Sequence, residues 1–143
     1  MNKRIEKALE ENKQKYIDYL LKLVSIDTHD IGHGIEGGLE AEGQDFMAEL
    51  FCGLGAEEVV KDPLKEDSIV KCKEQYREGN TGHNYDNRYN VYASFKGKSE
   101  RSILFNGHID HMPAENEENW CIPPLSPAVI ENRITGLGVA DMK

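Results

Sequence analysis

Cysteine, tryptophan and long apolar runs are all scarce in this chain. Its three cysteines, Cys52, Cys72 and Cys121, stand far apart, and no two share a CxxC spacing. That usage excludes a disulfide framework or a thiolate metal site as the organising device and suits reduced thiols in a cytoplasmic protein. No apolar run approaches the roughly 20 residues that cross a bilayer. The stretch from Met1 to Lys7 is charged and leads into no uninterrupted apolar segment, which argues against a secretory signal. Basic residues are in deficit: 17 Lys and Arg against 26 Asp and Glu give a net charge of -9. A chain so acidic repels phosphate backbones and anionic lipid, so nucleic acid and membrane surfaces are not expected partners.

What is present suits one domain of 143 residues. The content is lean, 38% hydrophobic with a mean hydropathy of -0.62, yet apolar runs recur at regular intervals, unlike a disordered chain. The expectation is a domain whose apolar faces are partly covered by something absent here.

The spacing predicts a helix over 3–24, with Ile5, Leu9, Tyr16, Leu20, Leu23 and Val24 on one face. Residues 25–28, Ser-Ile-Asp-Thr, end it, and a glycine-rich loop follows over 31–38. A second helix is expected over about 39–54, with Phe46, Met47, Leu50, Phe51 and Leu54 as its stripe and Gly55 as its left-handed cap. Strands are expected at 58–61, 68–72 and 90–95, with a polar surface loop over 73–86. Residues 103–106, Ile-Leu-Phe-Asn, read as a central buried strand. Proline-rich loop follows, then a hairpin over 129–135 about Asn132 and Arg133. The order is that of an α/β fold, two N-terminal helices followed by a mixed sheet. Open α/β sheets gather ligands at the carboxyl ends of their strands. His108 and Asp110 are expected there, with Asp141 close by.

His108-Ile-Asp110 places a histidine and a carboxylate two residues apart, on the same side of an extended segment. Asp110 can therefore reach the ring of His108, fix its tautomer and raise its basicity as a metal ligand. Gly107 lets a metal or substrate approach the backbone. Asp141 follows Gly136 and Gly138 on a flexible stretch, and a carboxylate so placed can bridge two divalent cations. His29 and His33 share an HxxxH spacing, but the glycines at 32 and 34 favour a loop role. His83 reads as surface polar, and the acidic run at 115–118 as a solvated face. No GxSxG elbow or phosphate loop is present.

Taken together, Gly107-His-Ile-Asp-His-Met-Pro113, Trp120, Pro124-Leu-Ser-Pro127 and Ile134-Thr-Gly-Leu-Gly-Val-Ala-Asp-Met-Lys143 resemble the M20 family of zinc-dependent peptidases and deacylases in order and spacing. The family pattern is GHxDxVP, W, PFxP and (L/I)xGRGxxDMK. The turn at 25–28 and the segments 85–88 and 90–91 resemble its other N-terminal features. The resemblance implies the N-terminal half of a zinc-exopeptidase-like catalytic domain over 1–143. It makes His108 and Asp141 metal ligands and Asp110 the catalytic-site residue that orients His108. It also implies two Zn2+ per complete site, with Co2+ as an alternative, and hydrolysis of an amide bond in a small N-acyl amino acid or short peptide.

His111 stands where the family has an aliphatic residue and Leu137 where it commonly has Arg. The family's catalytic Glu pair, its remaining metal ligands and its lid and dimerisation domain, which implies a homodimer for the complete protein, have no counterpart in the sequence. The expectation is a truncated chain that is inactive alone. The alternatives are a non-catalytic product with at most weak metal binding and an unrelated small α/β binding module.

Overall fold

A computed structural model describes residues 2–29, 39–77 and 85–143. The glycine-rich loop at 31–38, with His33, lies outside the described residues, as do His83 and much of the polar stretch around it. Helix α1 runs over Lys3–Val24; the Asn2 side chain caps it by accepting from the Arg4 N–H at 2.9 Å. Helix α2 spans Glu40–Gly53, and Gly55 follows its cap at φ +86°, a conformation that costs glycine little. Both helices lie where the apolar spacing puts them. Among the described residues no helix is long and apolar enough to cross a membrane.

Strands β1 (Glu58–Pro63) and β2 (Tyr89–Ser94) pair antiparallel, with Val59 opposite Ala93 and Lys61 opposite Val91. Side chains of β2 alternate between half-buried and exposed, the period-2 signature of a strand covered on one face. Helix α2 is the cover. Phe51 meets Phe95 edge-on at 6.3 Å, Lys61 Nζ donates to Asp45 at 2.6 Å, and the Tyr89 hydroxyl donates to the Ala41 carbonyl at 3.1 Å. The hairpin forms as β3 (Ala128–Ile130) and β4 (Arg133–Thr135), antiparallel about a turn at Glu131 and Asn132, one residue earlier than the expected Asn132 and Arg133.

Three expectations need correction. Residues 68–72 are helical, within α3 (Glu66–Tyr76). Glu66 and Asp67 in its first turn favour the positive end of the helix dipole. Ile69 and Lys73, four apart, form its half-buried side. The sheet is not mixed: among the described residues the strands form two separate antiparallel pairs. Residues 101–110 join neither pair. Ile103, Leu104 and Phe105 are 77%, 84% and 86% exposed. A strand apolar on both faces is stable between two covering layers, and among the described residues nothing covers it. His108 and Asp110 therefore stand on an extended segment rather than at the carboxyl end of a central strand.

The buried centre lies where α1 ends. Leu23, Val24 and Ile26 are buried there. Gly136 is packed so closely that a Cβ would stand 2.7 Å from Val24 Cγ1 and 3.0 Å from Pro127 Cβ. Earlier on the stripe of α1, Ile5, Leu9 and Tyr16 are exposed, and Leu20 is half-buried.

Candidate functional site

His108 stands between two carboxylates. Its Nδ1 is 3.2 Å from Asp110 Oδ1 and its Nε2 is 3.1 Å from Asp141 Oδ1. The extended backbone at 108–110 puts the first carboxylate on the ring, as the two-residue spacing requires. The second arrives by a tight turn: the Asp141 and Lys143 amides both donate to the Gly138 carbonyl, at 3.2 and 3.1 Å, and Gly138 has φ +78°. The three side chains are solvent-accessible; His108 and Asp110 are about half exposed and Asp141 far more so.

The donors suit zinc in kind, because imidazole nitrogen and carboxylate oxygen are ordinary zinc ligands and a carboxylate on the far ring nitrogen is the usual support for such a histidine. Among the described residues no three His, Cys, Asp or Glu side chains stand together as a set that could hold an ion.

A cleft of about 130 Å³ opens beside this pair, lined on one side by Gly107 to Asp110 and on the other by Glu40, Gln44 and Asn90. At its wall the Arg88 guanidinium donates to Glu40 Oε1, and both side chains are almost fully buried. Nothing in the spacing of Glu40 and Arg88 along the chain pointed to that pair.

A second group lies behind the first. His29 Nδ1 is 2.7 Å from Asp27 Oδ1, and His111 Nε2 is 3.6 Å from the same oxygen. Burial works against the Asp27 charge, but the hydrogen bonds from His29 and the nearby His29 and His111 rings outweigh it, holding its carboxyl below the usual range. Lys143 Nζ donates to the carbonyls of Ile26 at 2.8 Å and Leu23 at 3.3 Å. Burial pushes its ammonium down to about 8, with Asp27 opposing. His29 packs near the site as a loop residue. His111 is 7% exposed and packed inside, and its only signal in the sequence is that it departs from an aliphatic pattern.

No family model and no solved structure matches the chain. Among curated proteins it is 45% identical over 62 residues to an N-formyl-4-amino-5-aminomethyl-2-methylpyrimidine deformylase of Halalkalibacterium halodurans, a match covering 41% of this chain and 14% of that protein. It is 39% identical over 54 residues to a succinyl-diaminopimelate desuccinylase of Pelagibacter ubique, covering 38% of this chain and 14% of the relative. The desuccinylase of Psychromonas ingrahamii is 42% identical over 54 residues, with the same coverage. The matched segment spans about one seventh of the length of these relatives. Over that segment the chain is homologous to these deformylases and desuccinylases.

Proposed function

We propose that this chain is part of the catalytic domain of a metal-dependent hydrolase of amide bonds, with His108 and Asp141 as metal ligands and Asp110 holding the His108 ring. The observation that carries the reading is the placement of His108 between Asp110 and Asp141. The partial identity to a deformylase and to desuccinylases supports it. A proton on His108 Nδ1, directed at Asp110, leaves the Nε2 lone pair for a cation. Bound zinc, or cobalt in its place, supplies an acidified water and polarises a carbonyl.

The substrate we propose is a small N-acyl amino acid or a short peptide, and the complete enzyme carries two metals and works as a homodimer. Three exposed free thiols support a cytoplasmic setting. The remaining donors and a general base have to come from residues other than these three.

Zinc titration by calorimetry tests the assignment. His108→Ala and Asp141→Ala each remove most of the binding, and Asp110→Asn weakens it by about 10–100-fold. Undiminished binding by His108→Ala overturns it. The 143-residue chain alone is expected to leave N-acyl amino acids intact, since loss of a general base alone costs about 10²–10⁴-fold. Turnover abolished by a chelator and restored by zinc would show that the chain already holds a complete site.

A further inference from the structure

We propose that Thr28 and His111 are positioning residues for the His108–Asp141 pair, a role that rests on the metal-ligand reading above. The segment carrying His108 belongs to no β-ladder among the described residues, so other ties must locate it. Thr28 supplies them. Its side chain and backbone are fully buried, and all its polar groups are spent on residues 109–111. The hydroxyl donates to the Ile109 carbonyl at 2.5 Å. The amide donates to His111 Nε2 at 3.3 Å, and the carbonyl accepts from the His111 amide at 3.4 Å. The three bonds thus fall on Ile109 and His111, the residues on either side of Asp110.

The His111 ring is locked at both nitrogens. Nε2 accepts from Thr28, so the proton sits on Nδ1, which donates to the Met112 carbonyl at 2.8 Å. The Asp27 carboxylate, 3.6 Å from Nε2, lies beyond hydrogen-bond range and is engaged by His29. An aliphatic residue at 111 would fill the space but leave the buried Thr28 amide without an acceptor.

Two further contacts extend the clamp. A Cβ on Gly43 would stand 2.7 Å from Thr28 Cγ2 and 2.8 Å from Ile109 Cδ1, so α2 presses both residues from behind. A Cβ on Gly138 would stand 3.4 Å from His111 Cβ, so the turn that delivers Asp141 rests on the same histidine. His111 therefore lies beside the turn that presents one member of the pair and is three residues from the other. The clamp sets the distance between them.

Two measurements on the full chain test this: zinc affinity by calorimetry, and, without metal, the nuclear Overhauser contact between the His108 ring and the Asp141 β-protons. Thr28→Val and His111→Leu are expected to weaken zinc binding by about 10-fold or more, as loss of a ligand's support does, and to lose the contact. Thr28→Ser restores the hydroxyl and His111→Gln restores an acceptor, and both return to parent values. Retention of parent affinity and contact by Thr28→Val and His111→Leu overturns the proposal, as does failure of both conservative variants to rescue. If circular dichroism shows Thr28→Val unfolded, the His111→Leu and His111→Gln pair decides. If His108→Ala binds zinc as the parent does, the metal reading falls, and the metal-free contact alone judges the clamp.

Discussion

Lys143 Nζ reaches back 117 positions to donate to the Ile26 carbonyl at 2.8 Å and also donates to the Leu23 carbonyl at 3.3 Å, so the residue two beyond Asp141 caps the last turn of α1. The ammonium is half-buried, and its pKa falls from 10.5 to about 8 through desolvation. Between these values the unfolded chain holds a proton that the folded chain has released. Stability therefore rises with pH across the window from about 8 to 10.5 and is unaffected by this group below it. Urea denaturation midpoints measured across that window should climb in the parent chain and flatten in Lys143→Met. A parent midpoint that falls while the variant's falls equally would remove Lys143 as the cause.

Gly136 offers no room for a side chain. With Val24 Cγ1 2.7 Å and Pro127 Cβ 3.0 Å from a modest added methyl, Gly136→Ala must displace the buried end of α1 or the loop before β3. The expected loss is about 1–3 kcal/mol, read from the same denaturation curves. An unchanged midpoint would mean the hairpin does not seat against Val24.

The Glu40–Arg88 pair ties α2 to the entry of β2 from inside the protein. Arg88→Met leaves a buried carboxylate without its cation and is expected to cost about 3–5 kcal/mol. Adding Glu40→Gln removes the stranded charge, so the double variant should be more stable than Arg88→Met alone. A double variant whose losses simply add would show that the two residues act independently.

Leu104 and Phe105 separate the structure from the strand that their sequence suggests. Both are open to solvent, so Leu104→Ser and Phe105→Ser should each change stability by less than about 0.5 kcal/mol. A loss of about 3–5 kcal/mol for the Phe105 change, typical of a core aromatic, would place that side chain in a core instead.

Local pattern made α1, α2 and the 128–135 hairpin legible, because each is decided by spacing, caps and turn residues within a few positions. The same logic misplaced 68–72: a short apolar run of that length fits a strand or a helix, and the acidic first turn beside Lys65 tipped it to a helix. For 103–106 the apolar run suggests a buried strand, but the segment joins no ladder and no layer among the described residues covers it. At the site, the two-residue spacing of His108 and Asp110 was enough to foresee their contact. The grip of Thr28 on Ile109 spans 81 positions and leaves no periodic trace, so neither Thr28 nor His111 could be assigned a part from the residues alone.

The bare stretch at 101–108 links two parts of the chain through exposed residues. An endoprotease needs an extended, accessible segment, and one that prefers large apolar side chains finds Leu104 and Phe105 presented that way. Among the described residues, the first nick should fall there. It would part the helices from the piece bearing His108 and Asp141, yet the pieces would still meet through Thr28 and Ile109, Val24 and Gly136, and Ile26 and Lys143. The cut chain is therefore expected to run as two bands on a denaturing gel and as one species in native size-exclusion chromatography.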